Sequence, residues 1–261
     1  MIGVFDSGLG GLSVLAAIAE ALPEADLTYF ADTAHVPYGS KSDDFIRERV
    51  LCIGKHLVEL GCSPIVVACN TATAAAVAAL REALPDTPVI GVEPGVKPAA
   101  ASSPNRHIAV LATESTARSE RLAHLIREHA EGIRVDILPC PGWATKVETL
   151  HLADQDFAEA AKRHLAQVLD AGADRIVLGC THYAFLSPVL ETIVAGRAEL
   201  VDVAEAVARQ CERLAGPSIH GTGSLRLLAT ASPERLQAAL PALGLDRLAA
   251  RLATTAALAA T

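Results

Sequence analysis

Positive charge is in short supply in this chain: 22 Lys and Arg stand against 30 Asp and Glu, for a formal net charge of -8. No basic stripe marks any segment, which argues against a phosphate-backbone partner, so nucleic acid is not expected. Long apolar runs are also missing. A membrane-crossing helix needs about 18 uninterrupted apolar residues, and the opening MIGVFDSGLGG lacks the basic segment that begins a secretory signal. The expectation is a cytoplasmic protein with no membrane partner.

Closely spaced cysteine pairs are absent too. The six cysteines (Cys52, Cys62, Cys69, Cys140, Cys180, Cys211) are scattered without C-x-x-C spacing, in a chain large enough to fold without disulfides. Free thiols follow, with Cys52, Cys62 and Cys211 as inert core residues in helix-like segments and Cys140, in PCPG, as a structural residue. The loop DSGLGG is neither G-x-G-x-x-G nor a Walker sequence, so it signals no nucleotide. Lysine is limited to Lys41, Lys55, Lys97, Lys146 and Lys162. None follows a phosphate-cradling loop as a pyridoxal Schiff base would require, so no cofactor is expected.

What the chain does contain is a regular alternation of short β-rich runs with Ala-rich or amphipathic stretches, the pattern of an α/β fold with parallel sheets. The runs IGVFD, DLTYFAD, PIVVAC and PVIGVE are followed by a second set: HIAVLAT, RVDILPC, RIVLGC and AELVDV. Laid over one another, Val4 falls on Val110, Tyr29 on Ile137, Val67 on Leu178 and Ile90 on Val201, at offsets of 106, 108, 111 and 111. This repeat of pattern predicts two similar subdomains related by a pseudo-twofold, residues 1–95 plus 205–261 and residues 96–204, with a cleft between them. The stretch AAASSPNR reads as a linker, SLRLLATASPERLQAAL as a further strand and a Ser232-capped helix returning to the first subdomain, and ARLATTAALAAT as a frayed terminal helix.

The overlay also matches polar strand ends: Asp6-Ser7-Gly8 with Thr113-Glu114-Ser115, and Cys69-Asn70-Thr71 with Cys180-Thr181-His182. Ligands of parallel sheets bind at the carboxyl ends of strands, and a cysteine at a strand-to-helix junction sits at the positive end of a helix dipole, which favours thiolate. Cys69, Cys180 and His182 lack the close spacing of a zinc site, and a cysteine hydrolase has no duty for a second thiol. Two opposed thiols suit racemisation without a cofactor: one removes a proton from a stereocentre and the other returns one from the opposite face. Short hydroxyls and backbone N–H groups at the neighbouring tips suit a small carboxylate substrate.

These stretches, with GVFDSGLGGLSV, YFADTAHVPYGSKS, VVACNTATAAA, GVEPGVKPA, VLATESTARS and LGCTHYAFL spread over most of the chain, resemble the bacterial glutamate racemases. The resemblance implies a two-subdomain fold of the aspartate/glutamate racemase type and a two-base, metal-free and cofactor-independent interconversion of L- and D-glutamate that supplies peptidoglycan synthesis. It also implies that Cys69 deprotonates the D-enantiomer and Cys180 the L-enantiomer, that Asp6 and His182 tune these thiols and touch substrate, and that Glu148 is an acidic helper. Ser7, Tyr38, Gly39, Asn70, Thr71 and Thr181 match substrate contacts, Asp32 a further helper, and a homodimer is the family's suggestion. Thr145-Lys146 before Glu148, and Val203 in place of a serine, depart from the pattern. An aspartate racemase or other racemase of the superfamily, or a non-catalytic regulatory protein on the same fold, stays open as an alternative.

Overall fold

The computed structural model describes residues 1–152, 154–216 and 221–257, the last five of these by backbone alone. In chain order the first elements are β1 (Ile2–Asp6), α1 (Leu12–Ala21), β2 (Leu27–Ala31), α2 (Asp43–Glu59), β3 (Ile65–Val67), α3 (Asn70–Ala83) and β4 (Val89–Gly91). A second series follows: α4 (Val96–Ser102), β5 (His107–Ala112), α5 (Glu114–Arg118), α6 (Glu120–His129), β6 (Arg134–Pro139), α7 (Trp143–Glu148), α8 (Gln155–Asp170), β7 (Arg175–Leu178), α9 (Ser187–Val194) and β8 (Glu199–Val201). The chain then runs through α10 (Ala204–Ala215), β9 (Leu225–Ala229), α11 (Pro233–Ala242), α12 (Asp246–Ala249) and β10 (Leu252–Ala257).

These strands form two parallel sheets, ordered β10-β9-β2-β1-β3-β4 and β6-β5-β7-β8. Strands β1, β2, β3 and β5 are buried along their whole length, as expected of parallel strands covered on both faces by helices. In the first sheet one face packs on α1, α10, α11 and α12 and the other on α2 and α3. In the second, α7, α8 and α9 cover one face and α4 and α6 the other.

The predicted repeat is present in the register. Val4 lies opposite Tyr29 and Val66, as Val110 lies opposite Ile137 and Val177; Val66 then faces Ile90 as Val177 faces Val201. The same register corrects one expected match. Asp6 pairs with Ala31 where Ala112 pairs with Pro139, so Asp6 occupies the slot of Ala112, and it is Ser7 that corresponds to Thr113.

Other expectations need correction. Half of AAASSPNR is not a linker: its alanines complete α4, bury Ala99 and Ala100, and leave 103–106 as the loop, in keeping with alanine's helix propensity. Ser232 does precede α11, but its backbone is left-handed and its hydroxyl makes no capping bond; Pro233 starts the helix by presetting φ. Within the Ala-rich end, Leu252–Ala257 is a strand parallel to β9, not a helix, and residues 258–261 lie outside the described ones. Cys52 is exposed on α2, Cys62 sits in the turn after that helix, and Cys211 is buried in α10. None of the six is disulfide-bonded.

Two crossings join the sheets, one between β4 and α4 and the other between β8 and α10. They run side by side, since a Cβ on Gly95 would come to 3.0 Å from Val203 Cγ1 and 3.1 Å from Val201 Cγ1. The returning segment is tied to the α1–β2 loop by Asp26, whose Oδ1 accepts hydrogen bonds from both the N–H and the hydroxyl of Thr222 and of Ser224 at 2.7–3.0 Å. Arg251 fastens the same region through the carbonyls of Ala19, Ala25 and Gly223.

Candidate active site

Both matched cysteines stand where their strands end and a helical turn begins. Cys69 is the N-cap of α3, its sulfur accepting from the Ala72 N–H at 3.5 Å, and Cys180 caps the 3-10 turn Thr181–Leu186. Each is nearly sealed from solvent, at 5% and 6% exposure. Burial first, then the charge of Asp6, hold the Cys69 thiol well above the ordinary range, against the pull of the Ala72 N–H, and an ionised Cys180 would add to the rise. The two thiols therefore lie within electrostatic reach of each other.

Around Cys69, its S–H donates to Ser7 Oγ at 3.9 Å, a long sulfur contact. Asp6, fully buried, accepts from the Gly8 N–H at 2.7 Å and, from the other half of the molecule, from the Thr181 hydroxyl at 3.3 Å. Its carboxyl is raised by burial, with His182 and the Gly8 N–H partly opposing. A carboxyl poised in this way can take or hold a proton near the first thiol.

Around Cys180 the partners form a line. His182 Nδ1 lies 3.6 Å from the sulfur and its Nε2 2.6 Å from Glu148 Oε1, which also accepts the Leu9 N–H at 2.7 Å. Burial opposes a charge on His182, but the hydrogen bonds to Cys180 and Glu148 outweigh it and push the imidazole well above its usual range. Glu148, on the last turn of α7, thus touches both halves. The departure at Thr145-Lys146 leaves it undisturbed, because the Lys146 ammonium is turned to Asp154 at 2.5 Å.

Asn70 is 3% exposed, and neither its amide oxygen nor its amide nitrogen has a hydrogen-bond partner. Such a group costs about 1–3 kcal/mol unless something satisfies it, and a bound polar substrate would. Thr71 reaches across the halves to the hydroxyls of Thr113 and Thr116, at 3.0 and 3.3 Å. Gly39 comes equally close, a Cβ there falling 3.1 Å from Thr113 Cβ. Gly39, Thr113, Cys140 and Tyr183 line a cavity of about 110 Å³ together with Pro37 and Ser40.

Two expected site residues have their polar atoms engaged elsewhere. The Tyr38 hydroxyl donates to Asp32 Oδ2 at 2.6 Å, and its buried ring packs in the same cluster as Cys69. Asp32 itself is no free helper: Arg49 binds both its oxygens at 2.9 and 3.0 Å and His35 approaches Oδ1 at 3.0 Å. Burial opposes ionisation of Asp32, yet these hydrogen bonds hold its carboxyl below the usual range. Cys140 is buried as expected; its thiol donates to Leu138 O at 3.3 Å, and burial pushes it up to about 12.

Sequence reasoning overlooked Thr116 and the Leu9 N–H. Thr116 carried a signal, since it lies three residues after Thr113 and donates its N–H to that capping hydroxyl at 3.2 Å. A backbone N–H carries none. Among the described residues, no three His, Cys, Asp or Glu side chains gather as a metal site would require.

A family model described as Asp/Glu/Hydantoin racemase matches residues 2–211. The glutamate racemase of Pseudomonas aeruginosa PAO1 is 45% identical over 246 residues, 93% of each chain. Among solved structures, Escherichia coli glutamate racemase, in complex with L-glutamate and the activator UDP-MurNAc-Ala, aligns with a TM-score of 0.85 at 33% identity, covering 98% of this chain and 99% of that one. Francisella tularensis glutamate racemase, in complex with D-glutamate, aligns with a TM-score of 0.81 at 26% identity, covering 98% and 97%. The register-matched thiols and these likenesses agree: the chain belongs to the Asp/Glu/Hydantoin racemase family and, within it, to the glutamate racemases.

Proposed function

We propose that this protein interconverts L- and D-glutamate without a cofactor, using Cys69 and Cys180 as the two bases, and that its D-glutamate feeds peptidoglycan synthesis in the cytoplasm. The observation that carries the reading is the placement of the two thiols in equivalent slots of two register-matched sheets. In this reading residues 1–95 with 205–261 and residues 96–204 are the two lobes that close on substrate.

Starting from D-glutamate, the Cys69 thiolate takes the α-proton and the Cys180 thiol delivers its own proton to the opposite face. The products are L-glutamate, a Cys69 thiol and a Cys180 thiolate, so exchange of one proton with solvent or with neighbouring groups resets the enzyme. A Cα–H is a weak acid, and the burial that makes Cys69 reluctant to ionise also makes its thiolate a stronger base. Asp6 is the nearby group suited to hold the Cys69 proton between turnovers. On the other side, a charged His182, oriented by Glu148, stabilises the Cys180 thiolate. Asn70, Thr71, Ser7, Thr181 and the backbone of Tyr38-Gly39 supply the polar wall that holds the substrate's carboxylates and ammonium.

The test is incubation with L-glutamate in deuterated water, following optical rotation and deuterium at Cα. Both change if the reading holds, and the absence of both in a folded sample refutes it. Cys69→Ala and Cys180→Ala should each lower the racemisation rate by about 10²–10⁴-fold, the range of a positioned proton-transfer group, with an unchanged circular dichroism spectrum.

A further inference from the structure

We infer that the loop Gly8–Leu9–Gly10 of the first half is a positioning device for the second half's thiol, its Leu9 N–H completing the Cys180–His182–Glu148 line when the cleft closes. The inference rests on the racemase reading above. It starts from an asymmetry between the two thiols. The line from Cys69 crosses to the other half only through long contacts, to Ser7 Oγ at 3.9 Å, on to Asp6 Oδ1 at 3.5 Å and from there to the Thr181 hydroxyl at 3.3 Å. The line from Cys180 ends on the other half, at the Leu9 N–H 2.7 Å from Glu148 Oε1.

The surroundings of the loop fit this use. A Cβ on Gly8 would overlap the Glu148 carboxylate, and one on Gly10 would overlap the His182 ring and the Thr181 hydroxyl. Only a chain without side chains on either side of Leu9 lets the second half approach this far. Behind the loop, the Tyr29 hydroxyl donates to Gly8 O at 2.7 Å and anchors it to β2. Beside it, the Ser13 hydroxyl donates to Gly10 O at 2.9 Å and lies 3.3 Å from Thr181 O, and the Thr181 hydroxyl donates to Asp6 Oδ2 at 3.3 Å. The cross-half hydrogen bonds of this region thus converge on the residues that flank Cys180, so closing the cleft orients Glu148 and His182 in one movement. Opening it removes the fixed donor, and Glu148 is free to turn away from the imidazole.

The consequence is a defect that falls more heavily on Cys180 than on Cys69. Rates of net conversion cannot reveal it, because the enantiomers have equal free energy and kcat/KM must be the same in both directions. Exchange without inversion can. In deuterated water, Cys69 can remove the proton of D-glutamate, exchange with solvent and return deuterium to the same face; the corresponding event with L-glutamate needs Cys180. Gly10→Ala and, more mildly, Tyr29→Phe should raise the ratio of retained exchange in D-glutamate to that in L-glutamate by about tenfold for Gly10→Ala, the factor carried by one hydrogen bond to a charged group. Chiral separation with mass spectrometry reads both enantiomers at early times, and thermal melting confirms folding; should Gly10→Ala not fold, Tyr29→Phe decides. A ratio equal to that of the parent protein, with both exchanges reduced together, overturns the inference while leaving the racemase reading intact. Absence of any exchange in the parent protein overturns both.

Discussion

At the scale of single residues, the site divides into groups left open for a ligand and groups already committed to the protein. Asn70 is of the first kind and Asp32 of the second. The identity of each was visible in the sequence, but the commitment was not: Asp32 stands next to a substrate-like motif, and only the fold brings Arg49, from 17 positions along the chain, onto both of its oxygens. The Arg49–Asp32 pair is almost fully buried, and Asp32→Asn removes the carboxylate that faces a guanidinium 8% exposed. Such a change costs about 3–5 kcal/mol. Urea denaturation should show this loss, together with a raised KM for glutamate as Tyr38 loses its charged acceptor.

At the scale of elements, strand periodicity carried most of the fold. Eight strands and their pairing into two equivalent sets were legible because buried parallel strands are continuous apolar runs, and the offsets between the sets were near enough to constant to preserve register. The ends were less legible. Asp6 and Thr113 were matched one position out because the polar letters were aligned rather than the pleat, and alternation fixes which face a residue occupies while letters do not. The Ala-rich end was read as helix on propensity, yet β9 offered an open edge, and tertiary pairing overrides propensity. Asp26, which bolts the β9 entry to the α1–β2 loop, gives a test at this scale. Its carboxyl is lowered to about 2, chiefly by the hydrogen bonds from Ser224. A depressed acid contributes stability that is present above its unfolded value of 3.8 and disappears as pH falls through the folded value near 2. Asp26→Ala should therefore lower the melting temperature at neutral pH, by an amount equivalent to about 1 kcal/mol given its partial exposure, and the difference from the parent protein should shrink between pH 4 and pH 2.

At the scale of the whole molecule, two halves meet across a seam of hydrogen bonds that a substrate would complete. The Leu9–Glu148, Thr71–Thr113 and Asp6–Thr181 contacts all cross it. Glutamate bound between the halves should stabilise both together: at a hundred times Kd, a gain of about 2.7 kcal/mol is expected, read by calorimetry as a single melting transition moving upward. Two transitions, with only one shifted by glutamate, would show instead that one half alone holds the ligand.

The first sheet is assembled from both ends of the described chain, with the second sheet threaded between them. On a ribosome this order matters. By the time Val201 has emerged, every strand of the second sheet is available, whereas β2 still waits for β9, which follows α10. The half that supplies Cys180, His182 and Glu148 can therefore complete its sheet during synthesis, and the half that supplies Cys69 and Asp6 closes around it afterwards. The two thiols proposed as bases come of age at different times, Cys180 first.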